Sequence, residues 1–232
     1  MAEVPINDGH NNLMTSRTQN YLPIPEIPRC LQQSTITKGL ISYNEAQKLD
    51  RYGLAAHTCV WAPQPGASKF GELKAAVMMH LRFDGTFGFP GGLINFDEDV
   101  VEGLNREMNE EIGFGHIGCP VTWNDYYKTQ VIHEKELVLH FFIKEVTLDQ
   151  LQDLEKRTLL APDFGKEVMG NVRVPLYTME NMYSGLPEFL NNRFIGTAKQ
   201  DLLLALHHVK LLTETDIIEV MLKSQTLNLA PS

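Results

Sequence analysis

Apolar and β-branched residues run together in four places, and these runs predict strands over Ala55–Ala62, Ala75–Phe83, Leu137–Glu145 and Val168–Val174. Helical spacing of apolar positions predicts helices over Val100–Glu111, Leu148–Leu160, Pro187–Asn192, Ala198–Leu212 and Asp216–Lys223. Two of these helices open on the spacing of a capping box, Thr147 with Gln150 and Thr197 with Gln200. Gly85 and the run Gly88-Phe-Pro-Gly-Gly92 punctuate the chain as a turn-rich loop. Strands and helices interleave, which predicts a mixed α/β architecture. Residues 1–49 differ. They mix polar residues with Pro23, Pro25 and Pro28, carry little apolar periodicity, and read as a leader that is largely disordered and gains order near Tyr43. The globular domain then spans 50–225.

Composition changes this picture little. The 232 residues are 43% apolar, 9% aromatic and 21% charged, which suits one domain with a sizeable core. Cys30, Cys59 and Cys119 have no C-x-x-C spacing and form neither a disulfide framework nor a zinc site, as expected in a reducing compartment. No apolar run approaches the ~18–20 residues that span a bilayer, and Met1–His10 lacks the apolar region of a secretory signal. The expectation is a soluble intracellular protein without a membrane partner. The net charge of −9 argues against coating nucleic acid by bulk charge. Residues 92–114 alone carry seven acids against one base, so most of that acidity is one short segment.

Within the segment, Glu107, Glu110 and Glu111 recur at i, i+3 and i+4, so a helix stacks three carboxylates on one face. Like charges at this spacing repel, and the C-terminal turn of a helix disfavours acids. Val100, Val101, Leu104, Met108 and Ile112 form the apolar stripe, and the glutamates border it. Clustered oxygen donors, half shielded from water, suit a divalent metal. Asp97 or Asp99 can cap the helix. A solvated acidic helix end is the bland alternative.

The whole pattern decides between them. Gly-x5-Glu-x7-Arg-Glu-U-x-Glu-Glu-x-Gly-U, with U bulky and apolar, is matched throughout from Gly92 through Glu98, Arg106 and Gly113 to Phe114. A chance match in a chain of this length is on the order of one in ten million. The segment resembles the Nudix box of hydrolases that cut nucleoside diphosphates linked to another group. Flanking stretches, including 79–92, Asn171-Val-Arg-Val-Pro-Leu-Tyr177 and Gly185-Leu-Pro-Glu-Phe-Leu190, are similar to the snoRNA-decapping branch of that family, whose members also act as inosine diphosphate phosphatases.

That resemblance implies an α/β/α sandwich around a mixed sheet, with the box as loop–helix–loop. It implies Mg²⁺ or Mn²⁺ held by Glu107, Glu110, Glu111 and the Gly91 carbonyl, with Glu98 and Arg106 orienting the glutamates and Gly92 and Gly113 structural. Glu167 is implied as a further metal ligand or as the base that activates water, against the bland reading of a strand-end acid. His57, Arg82 and Phe89 match the substrate pocket: Phe89 to stack a purine, Arg82 to pair a phosphate, His57 to bond base or phosphate. A strand histidine, a surface salt bridge and a core phenylalanine are their ordinary alternatives. A purine-reading glutamine of the branch falls on Asp201, beside Gln200, and a histidine falls on Gln130, with His133 three residues on.

The implied activity is removal of the 7-methylguanosine cap from RNA, together with hydrolysis of inosine di- and triphosphates to the monophosphate. The implied partners are nucleotides and capped RNA 5′ ends, the implied state a homodimer, and the implied location the nucleus or nucleolus and the cytoplasm. Two other readings stay open. One is a Nudix hydrolase of ADP-ribose, NAD-capped RNA or coenzyme A derivatives; the other is a catalytically weak homologue that binds RNA or protein.

Overall fold

A computed structural model of the chain describes residues 22–32 and 39–227. Eight strands form one mixed sheet: β1 (Leu40–Ile41), β2 (Gly53–Ser68), β3 (Gly71–Arg82), β4 (Phe87–Gly88), β5 (Gly91–Ile94), β6 (Tyr126–Ile132), β7 (Leu137–Glu145) and β8 (Val168–Arg173). Among the described residues six α-helices accompany them: α1 (Tyr43–Ala46), α2 (Val100–Ile112), α3 (Leu148–Arg157), α4 (Leu186–Phe189), α5 (Ala198–His208) and α6 (Glu214–Leu227). The order β1-β6-β7-β2-β3-β4 forms the main path, with β5 on β2 and β8 on β3. Among the described residues only β2 and β7 pair in parallel, from Gly53↔Leu137 to Trp61↔Glu145; every other pairing between their strands is antiparallel.

The central strands read as continuous apolar runs because both of their faces are covered. Ala56, Val60, Ala76 and Met78 pack with Leu104, Met108 and Ile112 of α2 and with Leu151 and Leu154 of α3. The opposite face, with Cys59, Val77 and Met79, packs under Leu186, Leu202–Leu206 and Ile217 of α4–α6. The result is the α/β/α sandwich that the family resemblance implies. No helix among the described residues is long and apolar enough to cross a membrane.

The hairpin β2–β3 opens the sheet where the site lies. Its far end pairs from Trp61↔Val77 to Ser68↔Gly71. Below that the strands separate: Leu54–His57 pairs with β5, while Met78–Arg82 pairs with β8, and its His80 and Leu81 with β4. The glycine loop fills the split, and Thr58 N–H donates to the Pro90 carbonyl at 2.9 Å.

Helix ends follow their local chemistry. Asp99, rather than Asp97, caps α2 by accepting from Val101 N–H at 2.8 Å, and Gly113 closes it in the left-handed conformation at φ 66°. Thr147 and Gln150 form the predicted capping box of α3. The box expected at Thr197 and Gln200 does not form. Thr197 takes a φ of −97° and ψ of 3°, and its hydroxyl donates to Asp201 Oδ2 at 2.7 Å instead. Helix α5 stops at His208 rather than at Leu212, because Lys210 turns left-handed at φ 61°.

Four strands escape the sequence pattern, the two-residue β1 and β4 together with β5 and β6. Strand β5 begins with two glycines, which read as a loop, and β6 carries Lys128, Thr129 and Gln130, which read as solvent-facing although all three are buried. Upstream of residue 50, the described part of the presumed leader contributes to the core: Ile27 and Leu31 lie under the C-terminal helices, and Tyr43 packs edge-on against Trp123 at 4.9 Å. Residues 1–21 and 33–38 of that stretch lie outside the described residues.

Candidate active site

Helix α2 lies across the split hairpin, and its apolar stripe fixes where its glutamates point. Glu111 is turned inward and only 3% exposed. Its Oε2 accepts the Gly91 N–H at 2.7 Å and lies 3.7 Å from His80 Nδ1 on β3. Glycine is required at 91 because φ is 124° and a Cβ would overlap the Ala56 carbonyl and sit 2.8 Å from His57 Cα. At Gly92 a Cβ would lie 2.5 Å from Glu107 Oε2, so the second glycine makes room for that carboxylate.

Arg106 holds the other acids together. Its Nε and Nη2 grip the two Glu98 oxygens at 2.9 Å each, a bidentate pair. Its Nη1 reaches Glu107 Oε1 at 2.7 Å and Glu110 Oε2 at 3.2 Å, and Nη2 also donates to the Leu93 carbonyl at 3.2 Å. Glu98 Oε2 accepts from the Asn95 backbone and side chain in turn, which clips the loop to the helix. The arginine pair is the main reason the Glu98 carboxyl is held below its usual range.

The electrostatics of the glutamates follow from burial. Glu111 is pushed up to about 8, chiefly by burial, with the Gly91 bond opposing and the charge of Glu107 adding. Burial also raises Glu107, Arg106 opposes this, and Glu110 and Glu167 add to it. Burial and the nearby Arg82 push His57 down to about 4 and His80 down to about 3, so both imidazoles are neutral at pH 7. Glu111 thus has no cation in contact.

A cavity of about 650 Å³ opens beside this cluster, of a size that takes a nucleotide. His57, Arg82, Phe89, Gly91, Gly92, Glu107, Glu167 and Asp201 all line it. Lys135 and Lys166 add cations to its wall, and Leu139, Phe141, Ile195 and Ala198 make much of it apolar. Glu111 sits behind Gly91, while Glu110 is drawn toward Arg106; neither lines the cavity. Arg82 Nε lies 3.9 Å from Asp84 Oδ2 and is buried without a hydrogen-bond partner, and the residue lines the cavity. Phe89 has its ring in the core 5.1 Å from Phe141 and also lines the cavity.

Other expected positions are not brought in. Gln200 does not line the cavity, and its side-chain oxygen is buried without a partner. Gln130 faces inward, where its Oε1 accepts from Lys128 at 3.0 Å, while His133 lies in a turn 3.1 Å from the Tyr52 hydroxyl. His80 and Lys128 were not singled out by the sequence. The period-two alternation of β3 puts His80 on the face of Met78 and Arg82, which is the signal that finds it. Lys128 has no such signal, because a lysine in an alternating strand reads as exposed.

Among the described residues no three His, Cys, Asp or Glu side chains already form a metal-holding group. The donor set nevertheless fits a hard divalent cation. The charge of Glu107 raises Glu111 and that of Glu110 raises Glu107, while Arg106 offsets part of the charge at Glu107 and Arg82 part of that at Glu111.

A sheet split to seat a Gly-Gly turn against a glutamate-bearing helix, with an arginine clamping the acids, is the scaffold of a Nudix hydrolase. Comparison with known proteins narrows this further. Residues 54–212 match the Nudt16-like family, described as U8 snoRNA-decapping enzyme-like. The U8 snoRNA-decapping enzyme of Xenopus laevis is 42% identical over 191 residues, covering 81% of this chain and 90% of that protein. The Tudor-interacting repair regulator protein of Homo sapiens is 36% identical over 187 residues, covering 78% and 86%. A mutT/nudix family protein from Listeria innocua is 14% identical with a TM-score of 0.40, covering 69% of this chain and 98% of that one. The chain belongs to the Nudt16-like family and is a hydrolase of the Nudix class.

Proposed function

We propose that this protein is a divalent-metal-dependent pyrophosphohydrolase that removes the 7-methylguanosine cap from RNA and hydrolyses inosine di- and triphosphates to the monophosphate. The observation that carries the reading is the buried Glu111 carboxylate, anchored on Gly91 N–H at the back of a cavity walled by His57, Arg82 and Phe89. Decapping enters through relatives bearing that name, at 42–44% identity.

A pyrophosphate repels its nucleophile, so catalysis is mostly charge neutralisation and positioning. Glu107, Glu110 and Glu111, with the Gly91 carbonyl, would hold Mg²⁺ or Mn²⁺. Such an ion supplies charge neutralisation and a more acidic water. The chain's own residues do the rest. Arg82 pairs a phosphate oxygen, its buried Nε lacking a partner until substrate arrives. Neutral His57 donates a hydrogen bond without adding charge. Phe89 gives the base an apolar wall. Glu167, at the cavity wall and close enough to raise Glu107 and Glu111, is placed to take a proton from water. Glu98 and Arg106 fix the glutamate rotamers. Homodimer formation and a nuclear site of action, implied by the family resemblance, belong to this proposal.

The test is product analysis on a panel of capped RNA, inosine diphosphate and ADP-ribose, with and without EDTA. The expected products are 7-methylguanosine diphosphate and inosine monophosphate, both abolished by EDTA. Preferred turnover of ADP-ribose, or turnover that survives EDTA, overturns the proposal.

A further inference from the structure

His80 is a buried side chain that the proposed chemistry leaves without a task. It is 1% exposed on β3, its Nδ1 lies 3.7 Å from Glu111 Oε2, and its Nε2 is buried without a hydrogen-bond partner. Burying an imidazole nitrogen unpaired costs free energy that an apolar residue would not. Asn171 on β8 stands directly opposite, so both side chains lie on one face of the sheet. Its Oδ1 is a second orphan, again buried without a partner. The bond directions beyond it are fixed. The Thr158 hydroxyl uses its proton on the Leu154 carbonyl at 2.9 Å, so its oxygen must accept from Asn171 Nδ2. The Asn171 amide is thereby oriented, and its unpaired atom can only accept.

We infer that His80 is the positioning residue of Glu111, its Nδ1–H donating to Oε2 beside the Gly91 N–H once the carboxylate holds a divalent cation. The inference rests on the proposed metal-dependent reading and adds one residue to it. A neutral imidazole carries one N–H, so two arrangements compete. With the proton on Nε2, His80 can donate toward Asn171 Oδ1 but turns a lone pair on the Glu111 carboxylate. With the proton on Nδ1, it donates to an ionised acceptor, a bond roughly twice as strong as a neutral one. Nε2 and Asn171 Oδ1 are then both acceptors, and one buried water donating to the two completes the chain. The gap of 3.7 Å is longer than a hydrogen bond. Contacts of this kind tighten when the catalytic complex assembles. Two donors converging on Oε2 fix the Glu111 rotamer and leave Oε1 free for a cation.

The experiment joins magnetic resonance to metal titration on the full chain. Long-range proton–nitrogen correlation in saturating Mg²⁺ reads which ring nitrogen of His80 carries the proton. Nδ1–H is expected, and Nε2–H overturns the inference. Calorimetric titration with Mn²⁺ should show binding about tenfold weaker in His80→Leu, the loss typical of a group that orients a metal ligand. His80→Gln, whose amide can donate to the same oxygen, should recover most of it. On inosine diphosphate, His80→Leu should lower kcat with KM nearly unchanged. Leucine suits a buried position, so a merely structural histidine would shift the melting temperature in EDTA and leave Mn²⁺ affinity alone. That result, or an equal loss of affinity in both variants, overturns the inference. Should His80→Leu not fold, the ring tautomer of the unaltered chain decides by itself. Mn²⁺ binding as expected, without turnover of any substrate in the panel, would sink the proposed function and leave the role of His80 standing. Turnover with unaltered Mn²⁺ affinity in His80→Leu would do the reverse, and absence of Mn²⁺ binding would overturn both.

Discussion

Glu111 ties stability and function together in opposite directions, and Glu111→Gln separates them. The carboxyl releases its proton near 4.5 when the chain is unfolded and near 8 when it is folded without metal. Between those values unfolding releases a proton, so raising the pH favours the unfolded chain. The side chain is almost wholly buried, so solvent does little to screen this. The gap corresponds to ~5 kcal/mol of lost stability, fully developed above pH 8. Glutamine has nearly the same shape, and its amide oxygen can accept the Gly91 N–H as Oε2 does at 2.7 Å. In EDTA at pH 8.5 the variant should be more stable by up to ~5 kcal/mol, roughly 10–20 °C in Tm for a chain of this size. At pH 5, where Glu111 is protonated, the two proteins should melt together. Thermal melts at both pH values, alongside turnover in magnesium, read the result. Turnover should collapse in the variant. Equal melting temperatures at pH 8.5, or a wild-type protein more stable at pH 8.5 than at pH 5, would refute the electrostatic reasoning; surviving turnover would refute the catalytic assignment.

Two further outcomes follow from the packing. Gly91→Ala forces a Cβ into the Ala56 carbonyl at a positive φ, so β5 cannot keep its register with β2; urea unfolding should show a loss of at least ~3 kcal/mol, and an unchanged midpoint would mean that the loop relaxes freely. Arg106→Lys keeps the charge but loses the bidentate grip on Glu98 and the reach to Glu107 and Glu110. It should cost roughly 1–2 kcal/mol and lower kcat more than it raises KM, and a wild-type kcat would show that the clamp does not position the glutamates.

Much of the site was legible because its chemistry is local. Glu107, Glu110, Glu111, Arg106 and Glu98 lie within fourteen residues of one another, and helical periodicity alone sets their relative directions. Asp99 as a cap and Gly113 as a terminator are equally local. The failures are non-local. The capping box at Thr197 fails because Asp201, itself paired with a lysine more than seventy residues earlier, takes the threonine hydroxyl. Strand β6 hides because its polar residues find partners elsewhere: Lys128 on Asp201, and Thr129 on His140 at 2.8 Å.

The amino-acid sequence by itself determined the box, its helix and the layered α/β class, since each depends on spacing along one stretch of chain. Which glutamate is buried and which are drawn to Arg106 were decided only by tertiary structure. Burial and charge pairing depend on strands brought together across the split hairpin, and desolvation there is the largest influence on Glu107 and Glu111, while pairing with Arg106 is the largest on Glu98.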